Sequence, residues 1–269
     1  MGDAKNDELR VGFDSRLKLK FCGSKVTADA GLLAYRELDE ALGLTEMGAD
    51  RLQDSRLGQN KQHQLLPLLR QSIYSRLAGY EDVNDAERLC VDPAMRHVVG
   101  GRAGQPEKQA ASSSEVGRFE TGTLSSKRNL TAVMNLSGRW IDKVHRHRPL
   151  RELILDLDSS VSETYGRQQG TAYNGHFECL CYHPLFLFNQ FGELESAMLR
   201  RGNHASAKFW RKVLLPVIER YRGLNIPKFF RGDAAFAIPG LYQLLEQEGY
   251  GTPSASSPTP WRSGKSSIC

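Results

Sequence analysis

Three aspartates carry the clearest chemical signal in the chain. Asp156 and Asp158 stand two apart in Glu152-Leu153-Ile154-Leu155-Asp156-Leu157-Asp158-Ser159-Ser160. A strand there puts both carboxylates on one face. Asp233 closes a second apolar run, Pro227-Lys228-Phe229-Phe230-Arg231-Gly232-Asp233. If the two strands are neighbours, Asp158 and Asp233 converge. Hard carboxylate oxygens shared with substrate phosphates are the ligands Mg²⁺ prefers, and two such ions about 4 Å apart serve phosphoryl transfer. Strand-terminal aspartates also cap the turns that follow them. On the residues alone, the metal reading and the capping reading stand even.

Two further clusters have chemistry of their own. Cys179, Cys181 and His183 alternate onto one strand face. Structural zinc sites usually leave two to four residues between cysteines, so a buried strand is the better expectation. The second cluster is basic. Arg139, Lys143, His145, Arg146, His147, Arg148 and Arg151 precede the acidic strand, and Arg200, Arg201, Lys208, Arg211 and Lys212 come later. Such runs suit phosphate backbones, whose attraction is electrostatic and largely blind to sequence. A solvated surface explains them alone; beside a carboxylate pair, phosphate contact explains them better. Arg146, Arg148, Arg151, Arg200, Arg201, Lys208, Arg211 and Lys212 are the candidate DNA-binding residues.

The elements that must position these groups fall into two styles. Val11, Phe13, Leu17, Leu19 and Phe21 alternate as in a short strand. Thr27 and Asp29 are natural helix caps, and Leu32, Leu33, Tyr35, Leu38 and Leu42 follow at helical spacing. Helical blocks are expected over 59–78, from Asn84-Asp85, and from Asp92-Pro93, because proline suits a first helical turn. Residues 101–127 are rich in Gly, Ser and charge and read as a flexible linker. A helix capped by Asn129 runs to Val144. The period then changes. Strands are expected near 152–158, 176–188, 192–199 and 227–233, with helices over 204–221 and 238–247. That order predicts a mixed α/β sheet after an all-helical region. The tail 251–269 is rich in Ser and Pro and reads as disordered.

Composition excludes several classes. With 40% hydrophobic and 25% charged residues the chain is of ordinary globular make-up. No apolar run approaches the roughly 18–20 residues of a membrane span. The acidic, polar start lacks the basic and apolar regions of a secretory signal. Five scattered cysteines fit reduced thiols in a cytoplasm. A net charge of +5 permits a nucleic-acid partner without requiring one.

The long ordered motifs resemble a known family. Ile154 to Ser160, Thr164-Tyr165-Gly166-Arg167-Gln168-Gln169-Gly170, Tyr173-Asn174-Gly175-His176, Cys181-Tyr182-His183-Pro184-Leu185 and Phe230-Arg231-Gly232-Asp233-Ala234-Ala235-Phe236 resemble the DDE transposases of bacterial insertion sequences, DDE domain group 1. Gly79-Tyr80-Glu81-Asp82-Val83-Asn84-Asp85-Ala86 resembles that family's helical N-terminal region.

The resemblance implies an RNase H-like core whose three carboxylates hold Mg²⁺ or Mn²⁺. It also implies nicking at the element's terminal repeats, and attack of a 3′ hydroxyl on target DNA. Homodimeric or synaptic assembly and a cytoplasmic, nucleoid-associated location go with it. Asp158 matches the first aspartate, with Asp156 its neighbouring alternative, and Asp233 matches the second. The expected organisation is a DNA-binding strand and helical domain over 1–100, a linker over 101–127, the first part of the catalytic core over 128–250, and a tail.

The third carboxylate, a glutamate, lies in the family beyond the equivalent of this chain's last residues. Glu246 and Glu248 are the late candidates here, on a helix with no clear route to the metal. After Gly249-Tyr250-Gly251 the family continues Tyr-Ala-Ile-Arg-Leu-Pro-Ala-Asn, whereas this chain reads Thr252-Pro253-Ser254-Ala255. Allowed codons for 251–259, read one base out of frame, encode Tyr-Ala-Ile-Arg-Leu-Leu-Ala-Asn. A single lost base would therefore account for the tail. The expectation is a truncated transposase without activity; the alternative is a non-catalytic DNA-binding remnant that inhibits intact transposase.

Overall fold

The computed structural model describes residues 9–19, 29–56, 61–100, 110–166 and 168–251. The chain divides into two compact units at Val144/His145.

The first unit is helical. It begins with a small antiparallel hairpin, β1 (Leu9–Arg10) and β2 (Lys18–Leu19). The helices are α1 (Leu32–Leu42), α2 (Leu44–Arg51), α3 (Leu65–Leu77), α4 (Ala86–Leu89), α5 (Pro93–Val98), α6 (Ser113–Arg118), α7 (Lys127–Met134) and α8 (Leu136–His147), which crosses the boundary. Asp92 caps α5 by accepting the Met95 N–H at 2.8 Å, with Pro93 in the first turn as its sequence predicts. Leu32, Leu33, Tyr74, Leu89, Met95 and Val98 form one apolar cluster. Leu52, Leu68, Leu69, Val116 and Phe119 form another.

Several expectations fail in this unit. The alternation from Val11 to Leu19 is not one strand, since only Lys18–Leu19 pairs, as half of the hairpin, and Gly31 rather than Asp29 precedes α1, the Asp29 carboxylate accepting from the Tyr80 hydroxyl instead. Residues 110–127 are not a linker. A Ser112–Glu115 capping box starts α6, a π-helical stretch Phe119–Leu124 follows, and Ala110, Ala111, Val116 and Phe119 are buried. Four small or apolar side chains at the right spacing outweigh a polar composition. Residues 101–109 lie outside the described residues. Asn129 is not a cap either, since Ser126 accepts its N–H. The Asn129 amide is buried instead. It accepts from Gln53 N–H at 2.8 Å and donates to the carbonyls of Gln53 and Thr123. Thr27, Phe21 and the tail 252–269 also lie outside the described residues.

The second unit is a mixed sheet covered on one face. Its strands are β3 (Leu153–Ser159), β4 (Ser162–Glu163), β5 (Ala172–Asn174), β6 (Cys179–Tyr182), β7 (Leu185–Phe188), β8 (Leu194–Met198), β9 (Lys228–Gly232) and β10 (Tyr250–Gly251). The main sheet has the order β10-β9-β3-β7-β8; β10, β9 and β3 run parallel, while β7 and β8 are antiparallel. Strands β4-β6-β5 make a second, smaller sheet.

Leu153, Leu155 and Leu157 point to the covered face. They pack with Val213, Leu214, Val217 and Ile218 of α9 (Trp210–Tyr221) and with Leu241 and Leu245 of α10 (Pro239–Gln247). The period of two that buries these leucines turns Ile154, Asp156 and Asp158 to the opposite face. The single strand expected over 176–188 starts only at Cys179, after a turn at 175–178, and breaks into β6 and β7 at His183-Pro184, where Pro184 has no N–H for a ladder.

Candidate active site

The register of β3 on β9 places the aspartates. Asp156 lies opposite Arg231 and Leu157 opposite Gly232, so Asp158 and Asp233 come next, side by side, as the two parallel strands end. Asp233 is still extended (φ −71°, ψ 176°), so it keeps the facing of Arg231. Both carboxylates are exposed.

Each is half committed to its own turn. Asp158 Oδ1 accepts the Ser159 N–H at 2.7 Å, and Asp233 Oδ1 accepts the Ala235 N–H at 2.9 Å. The capping expectation and the metal expectation are therefore compatible, because the second oxygen of each carboxylate has no protein partner among the described residues. Two free carboxylate oxygens at adjacent strand ends are donors of the kind a hard divalent cation takes.

Asp156 differs. It forms a 2.9 Å ion pair with Arg231. Burial raises its pKa, the Arg231 charge opposes that rise, and nearby Asp158 adds to it. Its charge is already balanced by Arg231, unlike that of Asp158. Among the described residues no group of three His, Cys, Asp or Glu is arranged to hold a metal. Glu248 is held by Arg222 at 2.6 Å, and Glu195 is fully buried against Arg220 and Tyr221. Cys181 is buried, and His183 Nδ1 is engaged by the His204 carbonyl at 2.8 Å.

A cleft of about 690 Å³ opens beside the pair. Ser159 and Asp233 lie on its wall, together with Tyr173, His176, Phe177, His183 and the loop Asn203–Ser206. Of these lining side chains the sequence reading singled out only Asp233 and His183 as chemical candidates. The motif Tyr173-Asn174-Gly175-His176 was the available signal, as an aromatic and a histidine around a turn.

The basic residues separate by burial. Arg146, Arg148, Arg151, Arg201, Lys208, Arg211 and Lys212 are exposed. Arg148 lies over Phe191, Arg211 over Trp210, and Lys208 and Lys212 over Phe209, so ring faces orient several of the charges. Arg200 corrects the expectation of a DNA contact. It is 3% exposed and its guanidinium donates to the carbonyls of His183, Ala205, Ser206 and Lys208.

Carboxylates at neighbouring parallel strand ends, a cleft beside Asp233 and exposed basic residues thus occur together in the second unit. Residues 9–251 match the family model of the transposase DDE domain, group 1. The chain belongs to this family, as its motifs suggest, and its mixed sheet is that of an RNase H-like DDE domain. Transposase function, with DNA as partner and divalent metal use in general, follows from that membership. No curated protein and no solved structure matches the chain. No helix among the described residues is long and apolar enough to cross a membrane.

Proposed function

We propose that this domain nicks and transfers DNA strands of an insertion sequence, in the bacterial cytoplasm at the nucleoid, through Asp158 and Asp233. The observation that carries the reading is the register that ends β3 and β9 in adjacent carboxylates, each with one uncommitted oxygen. Mg²⁺ or Mn²⁺ bound there would activate water and stabilise the leaving oxygen. The chain's own residues do the rest. Asp158 and Asp233 hold the cation, Arg231 keeps Asp156 from competing for it, and the exposed cations of 146–151 and 201–212 hold the DNA backbone.

A second reading has its own support. With two carboxylates and no third among the described residues, cation binding is weak, because Mg²⁺ gives up its water reluctantly. The polypeptide of this sequence then binds DNA without cutting it, and competes with an active transposase for terminal repeats.

Titration with Mn²⁺, followed by the loss of its free-ion electron paramagnetic signal, tests the site. Weak binding is expected, abolished by Asp158→Asn or Asp233→Asn and retained by Asp156→Asn. Unchanged binding in the first two variants would remove the pair from the mechanism. Supercoiled plasmid incubated with the full chain and Mn²⁺ separates the two readings: nicking that Asp233→Asn abolishes supports strand cleavage, whereas plasmid that is bound and stays intact supports the second reading.

A further inference from the structure

The cleft next to Asp233 is unlike a phosphate site. Among the described residues no Lys or Arg lines it. Its polar groups are amides, hydroxyls and imidazoles, with Asp233 the one carboxylate on the wall among the described residues. His204 is held below the usual histidine range, chiefly by burial and then by the Lys208, Arg200 and Arg201 charges, so it adds no charge at neutral pH. The apolar surface is aromatic. Tyr173 is 59% exposed and Phe177 39% exposed.

These rings are held in place. Asn174 Oδ1 accepts the backbone N–H groups of His176 and Phe177 at 2.9 and 3.3 Å. Its Nδ2 donates to the Gly202 carbonyl at 2.6 Å. Phe177 then stands edge-on between His176 and His183, with ring centroids 4.9 and 5.6 Å away. Glu178, which closes this turn, has φ 55°, a left-handed conformation that a non-glycine residue adopts only under constraint. At the rim, the exposed Asn203 amide makes no hydrogen bond to the protein among the described residues.

Flat apolar faces with neutral donors and acceptors around them are what a nucleobase needs. Bases taken out of a duplex are stacked on aromatic rings and hydrogen-bonded along their edges. A cleft of this size lies in the range that encloses a single small organic group. The basic segment Arg201–Lys212 flanks one wall and supplies a path for the strand's phosphates.

We propose that the cleft lined by Tyr173, His176, Phe177, Asn203 and His204 receives one unpaired nucleobase of the DNA strand whose phosphate lies at Asp158 and Asp233. The proposal rests on the strand-cleavage reading of that carboxylate pair. It adds a base-holding site that positions the scissile phosphate by taking the neighbouring nucleotide out of the stack.

The test uses the full chain and two duplex oligonucleotides of one sequence, fully paired or with a single unpaired 2-aminopurine. The bulged duplex should bind about tenfold more tightly, the effect of stacking one base. Tyr173→Ala and Phe177→Ala should each remove most of that preference and leave paired-duplex affinity unchanged. Tyr173→Phe should retain it. Both rings are exposed, so these variants should keep the wild-type melting temperature. Asp158→Asn with Asp233→Asn should leave the preference intact. If Mn²⁺ binding at the pair is absent while the bulge preference stands, the cleavage reading fails and the base site survives. Equal affinity for the two duplexes, or a preference that persists when Tyr173 and Phe177 are both alanine, overturns the base site. Displacement of the bulged duplex by millimolar deoxyadenosine monophosphate, with no preference over paired duplex, identifies a free nucleotide as ligand and overturns it too.

Discussion

Arg200 shows how one buried cation can organise a site that it never enters. Its Nε donates to the His183 carbonyl at 2.7 Å, and Nη1 reaches the Ser206 and Lys208 carbonyls at 2.7 Å and Ala205 at 3.3 Å. Burial pushes its pKa down to about 10, so it remains charged at neutral pH. No carboxylate is needed, because carbonyl dipoles from two segments converge on the fork of donors that only arginine offers. His183, Ala205 and Ser206 all line the cleft, so the guanidinium fastens one of its walls. Hydrogen bonds to a charged group are worth roughly 1.5–3 kcal/mol each, and orphaned carbonyls add cost. Arg200→Met should lower unfolding stability by about 2–4 kcal/mol in urea titration, and Arg200→Lys should recover little of it. Little loss in both variants would show the clamp to be ornamental. The sequence could not separate Arg200 from Arg201, which adjoins it but is exposed. Neighbouring residues on a strand end face opposite ways, and type alone does not say which faces inward. The aspartates were legible because alternating leucines in β3 leave Asp156 and Asp158 a single face. What no pattern announced was Arg231 as the partner of Asp156, since that contact depends on the β3–β9 register.

At the scale of elements, the small sheet and the loop after β8 are locked together at Gly202. A Cβ on this residue would lie 2.4 Å from the Ala172 carbonyl oxygen, 2.5 Å from that of Cys181 and 2.7 Å from its Sγ. Two of these are backbone atoms in β5 and β6, which cannot move without parting the strands. The same glycine's carbonyl accepts from Asn174. Overpacking of this kind typically costs about 1–3 kcal/mol. Gly202→Ala should therefore lower the melting temperature by several degrees and weaken any base preference. Gly175→Ala, with nothing within 4 Å of its Cβ and no positive φ, is the control that should melt as wild type. If both variants melt alike, backbone crowding at Gly202 is not what fixes the loop. Elements with a clean period were readable, as in β3, α9 and the Asp92-Pro93 start of α5. Residues 110–127 were not. Their π-helical turn has neither the 3.6 nor the 2.0 period, so the buried Phe119 and Thr123 looked like isolated residues in a polar segment.

For the whole molecule, charge is distributed rather than abundant. Thirty-six Lys and Arg against 31 Asp and Glu leave +5, too small a net field to hold DNA by itself. Much of the basic charge is also spent internally, as in Arg220 with Glu195, Arg76 with Glu120 and Arg222 with Glu248. What remains for a phosphate backbone is local. The boundary at Val144/His145 puts the α8 end and Arg146, Arg148 and Arg151 with the mixed sheet; the expected division at 101–127 had followed composition, which does not register packing. The second unit thus holds every candidate DNA-binding cation that its sequence suggested, with Arg200 withdrawn by burial. Binding to duplex DNA should weaken steeply with salt, because each neutralised phosphate releases condensed counterions and contributes about 0.9 to the log–log slope. Replacing Arg211 and Lys212 by glutamine should flatten the slope by up to about 1.8, and replacing Arg146, Arg148 and Arg151 by up to about 2.7, if each side chain neutralises one phosphate. Arg222→Gln is the matched control. It removes an exposed cation whose partner is Glu248 and should leave the slope where it was. Fluorescence anisotropy across a salt series distinguishes these outcomes. A slope that drops equally for Arg222→Gln would mean that the DNA responds to net charge alone. A slope indifferent to both clusters would move the DNA-binding surface to the helical unit.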